Sequence, residues 1–255
     1  MEKTKKEGVM NRAINRFRSL TVAAVLGLIL PGISAVPSHA GTFQPQINSG
    51  SSANYVFLAH TAITNGATTV ISGSTSRIVG ISPGIADAGT VASILASGAT
   101  EFQNATDAPT IAQFDLQSAM TYMNTLIPTV VSANLSLAPN ATIFPGVYTT
   151  PDGVAMSVDE NLTLDANGDS NAIFVFETPT ALNTTAGINV FLKNGAQASN
   201  IYWLMGAGLT MGASTNISGN FLVSAGTTIG AGSTLHGRVL SQDAITLGAS
   251  VVLIS

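Results

Sequence analysis

Four groups of residues in this 255-residue chain have types and spacings that could do chemistry. Gly80-Ile81-Ser82-Pro83-Gly84 matches Gly-x-Ser-x-Gly, the string of a nucleophile elbow. There the residue after the serine donates its backbone N–H to the oxyanion, and Pro83 has no N–H to donate. The segment therefore reads as a tight turn. His60 and His236 are candidate bases, but neither has a recurring acidic neighbour. Asp165-Ala166-Asn167-Gly168-Asp169 has the look of a calcium loop, yet an EF-hand loop needs glycine at its sixth position and glutamate at its twelfth. Ser170 and Phe176 stand there instead, which leaves a turn held by Asp and Asn. No catalytic residue, metal ligand or cofactor is expected.

The fourth group is a set of short hydroxyls. Between Met205 and Leu253 the chain repeats every eighteen residues, aligning Thr210, Thr228 and Thr246, then Gly212, Gly230 and Gly248, then Ala213, Ala231 and Ala249. Before each Gly-Ala pair it reads Ala207-Gly208-Leu209-Thr210, Ala225-Gly226-Thr227-Thr228 and Asp243-Ala244-Ile245-Thr246. The same shape occurs at Thr61-Ala62-Ile63-Thr64 and Thr180-Ala181-Leu182-Asn183, with a weaker copy at Val154-Ala155-Met156-Ser157. Alternate residues of a strand face opposite ways, and the third position is mostly apolar, so it should face inward. Thr61, Thr64, Thr180, Asn183, Thr210, Thr228 and Thr246 are then expected on one face. Ala62, Ala155, Ser157, Ala181, Gly208, Gly226 and Ala244 would lie between them.

Stacked, these copies make a grid about 6.6 Å along the strand and about 4.8 Å across it. Such a grid has no concavity for a small ligand and no charge apart from Asp243. It suits a flat, repetitive partner that presents ordered water, such as ice: a threonine hydroxyl can join a water lattice while its methyl constrains neighbouring waters. The plainer alternative is that Thr is a good strand residue and Ala or Gly relieves crowding.

A repeat that mixes glycine turns with short β-prone runs is the mark of stacked coils, a β-solenoid. Short strands are expected at Tyr55–Leu58, Ile78–Ile81 and, from residue 143 onward, between Gly, Asn, Asp and Pro separators. One stretch differs. From Asp107 to Ile127, Ile111, Phe114, Leu116, Ala119, Met120, Met123, Leu126 and Ile127 recur at threes and fours, with Pro109 at a first helical position and Pro128 as a stop. That predicts one long amphipathic helix lying along a wall.

The first 40 residues read as an export signal: a basic leader, an apolar run from Leu20 to about Ile33, and small residues up to Ala40. The run is interrupted by Pro31 and Gly32 and is shorter than the ~20 residues a membrane span needs. Residues 41–53 are polar and read as a flexible segment, and 54–255 as one domain. Beyond residue 40 only Arg77, Lys193 and Arg238 oppose eleven acidic residues, a balance of −8. Three scattered cations cannot neutralise a run of phosphates, so nucleic acid is not an expected partner. There is no cysteine, which excludes disulfides and thiolate metal sites.

Several segments together carry a family resemblance: Tyr55-Val56-Phe57-Leu58-Ala59, Gly80 to Gly84, Phe144-Pro145-Gly146-Val147-Tyr148, Leu162-Thr163-Leu164-Asp165, Gly168 to Phe176, Asn194 to Ala198, and His236-Gly237-Arg238-Val239-Leu240. In this order they resemble the ice-binding (antifreeze) protein family built on the domain of unknown function numbered 3494 (DUF3494). The resemblance spans roughly Ala53 to Ile254. It implies a mainly β fold, a discontinuous right-handed β-solenoid of triangular cross-section with one long α-helix packed alongside. It also implies a secreted, non-catalytic monomer that binds ice through one flat face, inhibits ice growth and recrystallisation, and meets no membrane once its signal is removed. Some family members carry Thr-Ala/Gly-x-Thr/Asn on that face. Thr61–Thr64 and Thr180–Asn183 match it in full, whereas the copies at 207, 225 and 243 begin with Ala, Ala and Asp. Two other classes share the composition. A surface adhesin or polysaccharide-binding module would want exposed aromatics, and a β-solenoid polysaccharide lyase would want clustered cations.

Overall fold

The computed structural model describes residues 45–74, 77–86, 88–135 and 140–255. The expected signal, residues 1–40, lies outside them. The described chain is mainly β, with parallel sheets of eleven, six and three strands and two α-helices. Parallel neighbours cannot be joined by tight hairpins. From Gly146 onward each strand is followed by strands of other walls before the chain returns, an arrangement that fits a β-solenoid.

One coil shows how the sequence does this. Ile201–Met205 lies in a wall covered by a helix, Leu209–Met211 in a second wall, and Asn216–Val223 begins in a third before rejoining the first. That last strand serves two walls because it bends at Gly219, whose φ is +132°. A Cβ there would sit 2.8 Å from the Trp203 ring nitrogen, so glycine is needed for space as well as for φ. Eighteen residues later Gly237 repeats the bend in Thr234–Ser241. Stacking order departs from chain order at one place: Ile63–Thr64 pairs with Ile245–Leu247, and Phe57–Leu58 with Val239–Leu240. The first described coil therefore seats on the last regular one.

Inside, side chains of successive coils line up. Tyr148, Phe176, Trp203 and Phe221 occupy one in-register file. Their rings stack with centroids 5.4, 4.1 and 5.7 Å apart. Trp203 is fully buried and its Nε1 donates to the Ser218 carbonyl at 3.0 Å, so its one polar atom is satisfied. Offset ring pairs of this kind add about 0.5–1.5 kcal/mol beyond the area they bury.

Two helices are present where one was expected. The shorter, α1 (Ala88–Ala96), is uncharged and, among its described side chains, buries only Ile94 fully, so its sequence lacks a strong periodic signal. The longer, α2, runs Asp107–Met123 rather than to Ile127. Beyond Asn124 the chain closes through shorter-range bonds, Thr125 N to Tyr122 O and Leu126 N to Met123 O. Ala112, Leu116, Ala119, Met120 and Met123 of α2 pack on Leu58, Leu204, Leu222 and Leu240 of the first wall. Ile111 and Phe114, expected in the same stripe, are exposed at 55% and 69%. At 100° per residue they lie well outside the arc a single flat wall can cover.

Ahead of the first strand, Gly50–Asn54 forms a 3-10 turn. Both the backbone N–H and the hydroxyl of Ser51 donate to the Asp115 carboxylate of α2, at 2.7 and 2.6 Å. Part of the polar stretch read as flexible is thus tied to the helix.

Candidate functional site

The second wall is a six-stranded sheet in the order Ile63–Thr64, Ile245–Leu247, Thr227–Ile229, Leu209–Met211, Leu182–Thr184, Met156–Val158. Pairing places Thr64 beside Thr246, Thr246 beside Thr228, Thr228 beside Thr210, Thr210 beside Asn183 and Asn183 beside Ser157. These six side chains form one straight file about 24 Å long at the usual interstrand spacing. All are exposed except Ser157, which is half-buried. Its Oγ donates to Asp159 Oδ2 at 2.9 Å.

The wall is held flat from within. Ile63, Ile245, Thr227, Leu209, Leu182 and Met156 face the interior one residue before the file, and all are buried. Leu247, Ile229, Met211, Thr184 and Val158 face inward one residue after it. From Ser157 to Thr246 each outward side chain is therefore pinned between two inward ones, a consequence of the two-residue period.

Beside the hydroxyl file runs a file of small residues: Ala62, Ala244, Gly226, Gly208, Ala181 and Ala155. Backbone bonds connect it across the coils, from Ile245 N to Ala62 O, Thr227 N to Ala244 O, Leu209 N to Gly226 O, Leu182 N to Gly208 O and Met156 N to Ala181 O, at 2.9–3.1 Å. Thr61 and Thr180 stand differently. They occupy the corner that leads into the wall, one residue before the small file. Thr61 Oγ1 donates to Asp243 Oδ1 at 2.8 Å, and Thr180 Oγ1 lies 3.2 Å from the hydroxyl of buried Thr178. Their hydroxyls are engaged in the corner rather than in the file.

On the opposite margin the structure adds residues outside the expected set. Gly66, Gly248, Gly230 and Gly212 follow the hydroxyl file. A Cβ on any of them would meet the neighbouring coil's backbone at 2.5–2.6 Å, so the chain approaches its neighbour more closely than a side chain allows. Exposed Ala67, Ala249, Ala231, Ala213 and Ala186 come next, and they extend the wall with methyl groups. The repeat aligning Ala213, Ala231 and Ala249 was the signal for this margin.

The cleft beside α2 and the two smaller hollows near Arg238 and Gln103 are all lined by residues outside the file. The wall carries no Lys or Arg, and its nearest carboxylates, Asp243 and Asp159, sit at its corners. Such a surface cannot enclose a small molecule or stabilise a charged transition state. It can present a regular array of short donors, acceptors and methyls to an equally regular partner.

A profile of the ice-binding-like family matches residues 57–253. The chain belongs to the ice-binding-like family. It is 32% identical over 173 residues to an ice-binding protein of Nostoc sp. (strain HG1), which covers 68% of this chain and 60% of the relative. An ice-binding protein of Flavobacterium frigoris (strain PS1) is 29% identical over 199 residues, covering 72% and 68% of the two chains. The crystal structure of the ice-binding protein from the Antarctic ascomycete Antarctomyces psychrotrophicus superposes with a TM-score of 0.71 at 29% identity, over 81% of this chain and 96% of that one. This ice-binding-like chain spans about three-fifths of the Nostoc relative's length. These relatives are named as ice-binding proteins and not as enzymes.

The remaining chemistry-bearing residues lie away from the wall. Ser82 is buried, in hydrogen-bond contact with the Thr110 hydroxyl. His60 lies in the corner just before the wall, where its backbone N–H donates to Asp243 O at 3.0 Å, and His236 faces outward on the third wall. In the loop after Leu162–Asp165, Asp165 Oδ1 accepts the Asn167 N–H at 2.8 Å, and Asp165 also takes bonds from the Asn194 amide. Among the described residues no group of three or more His, Cys, Asp or Glu is placed to share a metal ion.

Proposed function

We propose that this chain is a secreted ice-binding protein that adsorbs to ice crystals through the threonine wall and thereby slows ice growth and recrystallisation. The observation that carries the reading is the in-register file Thr64, Thr246, Thr228, Thr210 and Asn183, outward and unobstructed beside a file of Ala and Gly. Ice is itself a lattice of hydrogen-bonding groups, so a rigid array with fixed spacing engages many sites at once without ordering flexible side chains on binding. The binding set is Thr64, Ser157, Asn183, Thr210, Thr228 and Thr246 with Ala62, Ala155, Ala181, Gly208, Gly226 and Ala244. Thr61 and Thr180 form its corner margin. Residues 1–40 serve as the export signal, and residues 54–255 act as a monomeric ice-binding domain. The coil path is right-handed, discontinuous and triangular in section, as in the family.

The test is direct observation of single ice crystals in purified protein, comparing Thr228→Tyr with Thr142→Tyr. Thr228 sits mid-file; Thr142 is exposed on the third wall, in Ala141–Ile143. A ring at Thr228 holds the lattice away from Thr210 and Thr246 on both sides, so shaping and thermal hysteresis should fall at least several-fold, while Thr142→Tyr keeps them. Exposed changes of this kind usually leave stability within about 0.5 kcal/mol, so both variants should fold. Full hysteresis in Thr228→Tyr, or equal loss in Thr142→Tyr, would place the active face elsewhere.

A further inference from the structure

The Gly-x-Ser-x-Gly turn does not belong to the threonine wall, but it borders a cavity. Between α2 and the corners of the first wall lies a cleft of about 570 Å³, within the size range of small-ligand sites. His60, Ser82 and Pro83 line it from the corner after the first strand and from the turn. Thr110, Gln113, Phe114 and Gln117 line it from α2, and Ser224 and Gln242 from the stacked corners of later coils.

The lining has a specific chemistry. It holds no Asp, Glu, Lys or Arg, so nothing in it selects a charged ligand. It is rich in neutral groups that both donate and accept, above all the carboxamides of Gln113, Gln117 and Gln242. Gln113 is the informative one. It is more than nine-tenths buried, its Nε2 donates to the Ser241 carbonyl at 3.2 Å, and this bond orients the amide. Its Oε1 is then left buried without a partner. A buried carbonyl oxygen without a donor is destabilising, and a ligand hydroxyl that reached it after a small shift of the side chains covering it would offset that. Gln117 and Gln242 are already bonded to each other, Gln242 Nε2 to Gln117 Oε1, which fixes both amides at the cleft.

Above these amides stands Phe114, exposed at 69% on a helix whose apolar seam points elsewhere. An exposed aromatic face beside oriented amides and hydroxyls matches one ligand class well. A sugar ring presents an apolar C–H face on one side and a rim of neutral hydroxyls that donate and accept. The aromatic here comes from the helix and not from the strands.

We propose that this cleft is a binding site for a neutral carbohydrate. The ring stacks on Phe114, the Gln117–Gln242 pair and His60 contact the rim, and one hydroxyl reaches Gln113 Oε1 as the side chains that cover it in the free protein shift. The cleft shares no residue with the threonine file, so a sugar can be held while the wall remains free.

The experiment uses the protein without its leader and needs no ice, so its outcome is separate from that of the wall. Glucose, galactose, maltose and cellobiose, with glucuronate as the charged counterpart, are titrated against the protein while amide and aromatic NMR shifts are followed. Saturable shifts at α2 with at least one neutral sugar are expected, together with at least ten-fold weaker binding in Phe114→Ala and in Gln113→Met. Phe114→Ala alters an exposed ring and should fold. Gln113→Met keeps the buried volume, and a melting curve matching the parent validates it. No saturable shift with any neutral sugar at tens of millimolar overturns the proposal. So does preference for glucuronate, or binding that survives Phe114→Ala.

Discussion

Thr227 and Thr228 are adjacent, chemically identical and placed on opposite sides of the same wall, so one substitution made at each separates packing from surface. Thr227 is 2% exposed and pairs in register with Leu209 and Ile245, both apolar. Its Oγ1 is buried and has no hydrogen-bond partner. Its backbone N–H donates to the Ala244 carbonyl at 2.9 Å, a bond that valine retains. Thr227→Val therefore removes only the desolvation of an unsatisfied hydroxyl, about 1–3 kcal/mol on scales derived from proteins. It replaces that hydroxyl with a methyl of nearly the same shape inside an existing apolar ladder. The variant should be more stable by about 1–3 kcal/mol, and for a domain of this size each kcal/mol raises Tm by about 2–4 °C. Urea unfolding followed by Trp203 fluorescence should show a higher midpoint at unchanged slope, because the surface exposed on unfolding is the same. Crystal shaping should not change. The same replacement at exposed Thr228 should leave the midpoint within about 0.5 kcal/mol of the parent. A lower midpoint for Thr227→Val would refute the reasoning, since it would mean the hydroxyl makes a stabilising bond in the folded wall.

Gly230→Ala should destabilise by about 1–3 kcal/mol, the usual cost of overpacking, because the new Cβ would sit 2.5 Å from Ala213 N. Gly226→Ala is the control, since the nearest neighbour of its Cβ would be Asp243 Oδ2 at 4.0 Å; it should melt like the parent. Trp203→Ala should cost about 3–5 kcal/mol, the range for deleting a buried aromatic, and denaturant midpoints read by circular dichroism will show it. Asp115 titrates below the ordinary carboxylate range because the Ser51 hydroxyl and N–H donate to it. Its folded value lies below its unfolded one, so the stability it contributes is complete above the ordinary carboxylate range and is lost as pH falls through the depressed value. In Ser51→Ala an NMR titration should move the Asp115 midpoint up toward the ordinary value, and the acid-side loss of stability should become shallower.

The residue-level reading reached the wall because its determinants are local and periodic. In a strand the side-chain period is two, so apolar Ile63, Leu182, Leu209 and Ile245 force Thr64, Asn183, Thr210 and Thr246 to the other side. An eighteen-residue repeat then puts like beside like. Pro83 likewise argued against a nucleophile elbow by its missing N–H alone. Other features depend on contacts far apart in sequence. Thr61 and Asp243, 182 positions apart, meet only because the first described coil seats on the last regular one, and no local pattern encodes that pairing. The same closure puts Thr61 in the corner, where its hydroxyl is bonded to Asp243, although its motif matched in full. The stripe of α2 was drawn too wide because periodicity gives the direction of an apolar face but not the width of the wall that will cover it. That left Phe114 outside. The buried, half-satisfied amide of Gln113 is likewise a property of the space between helix and wall, and only the packing of the two creates that space.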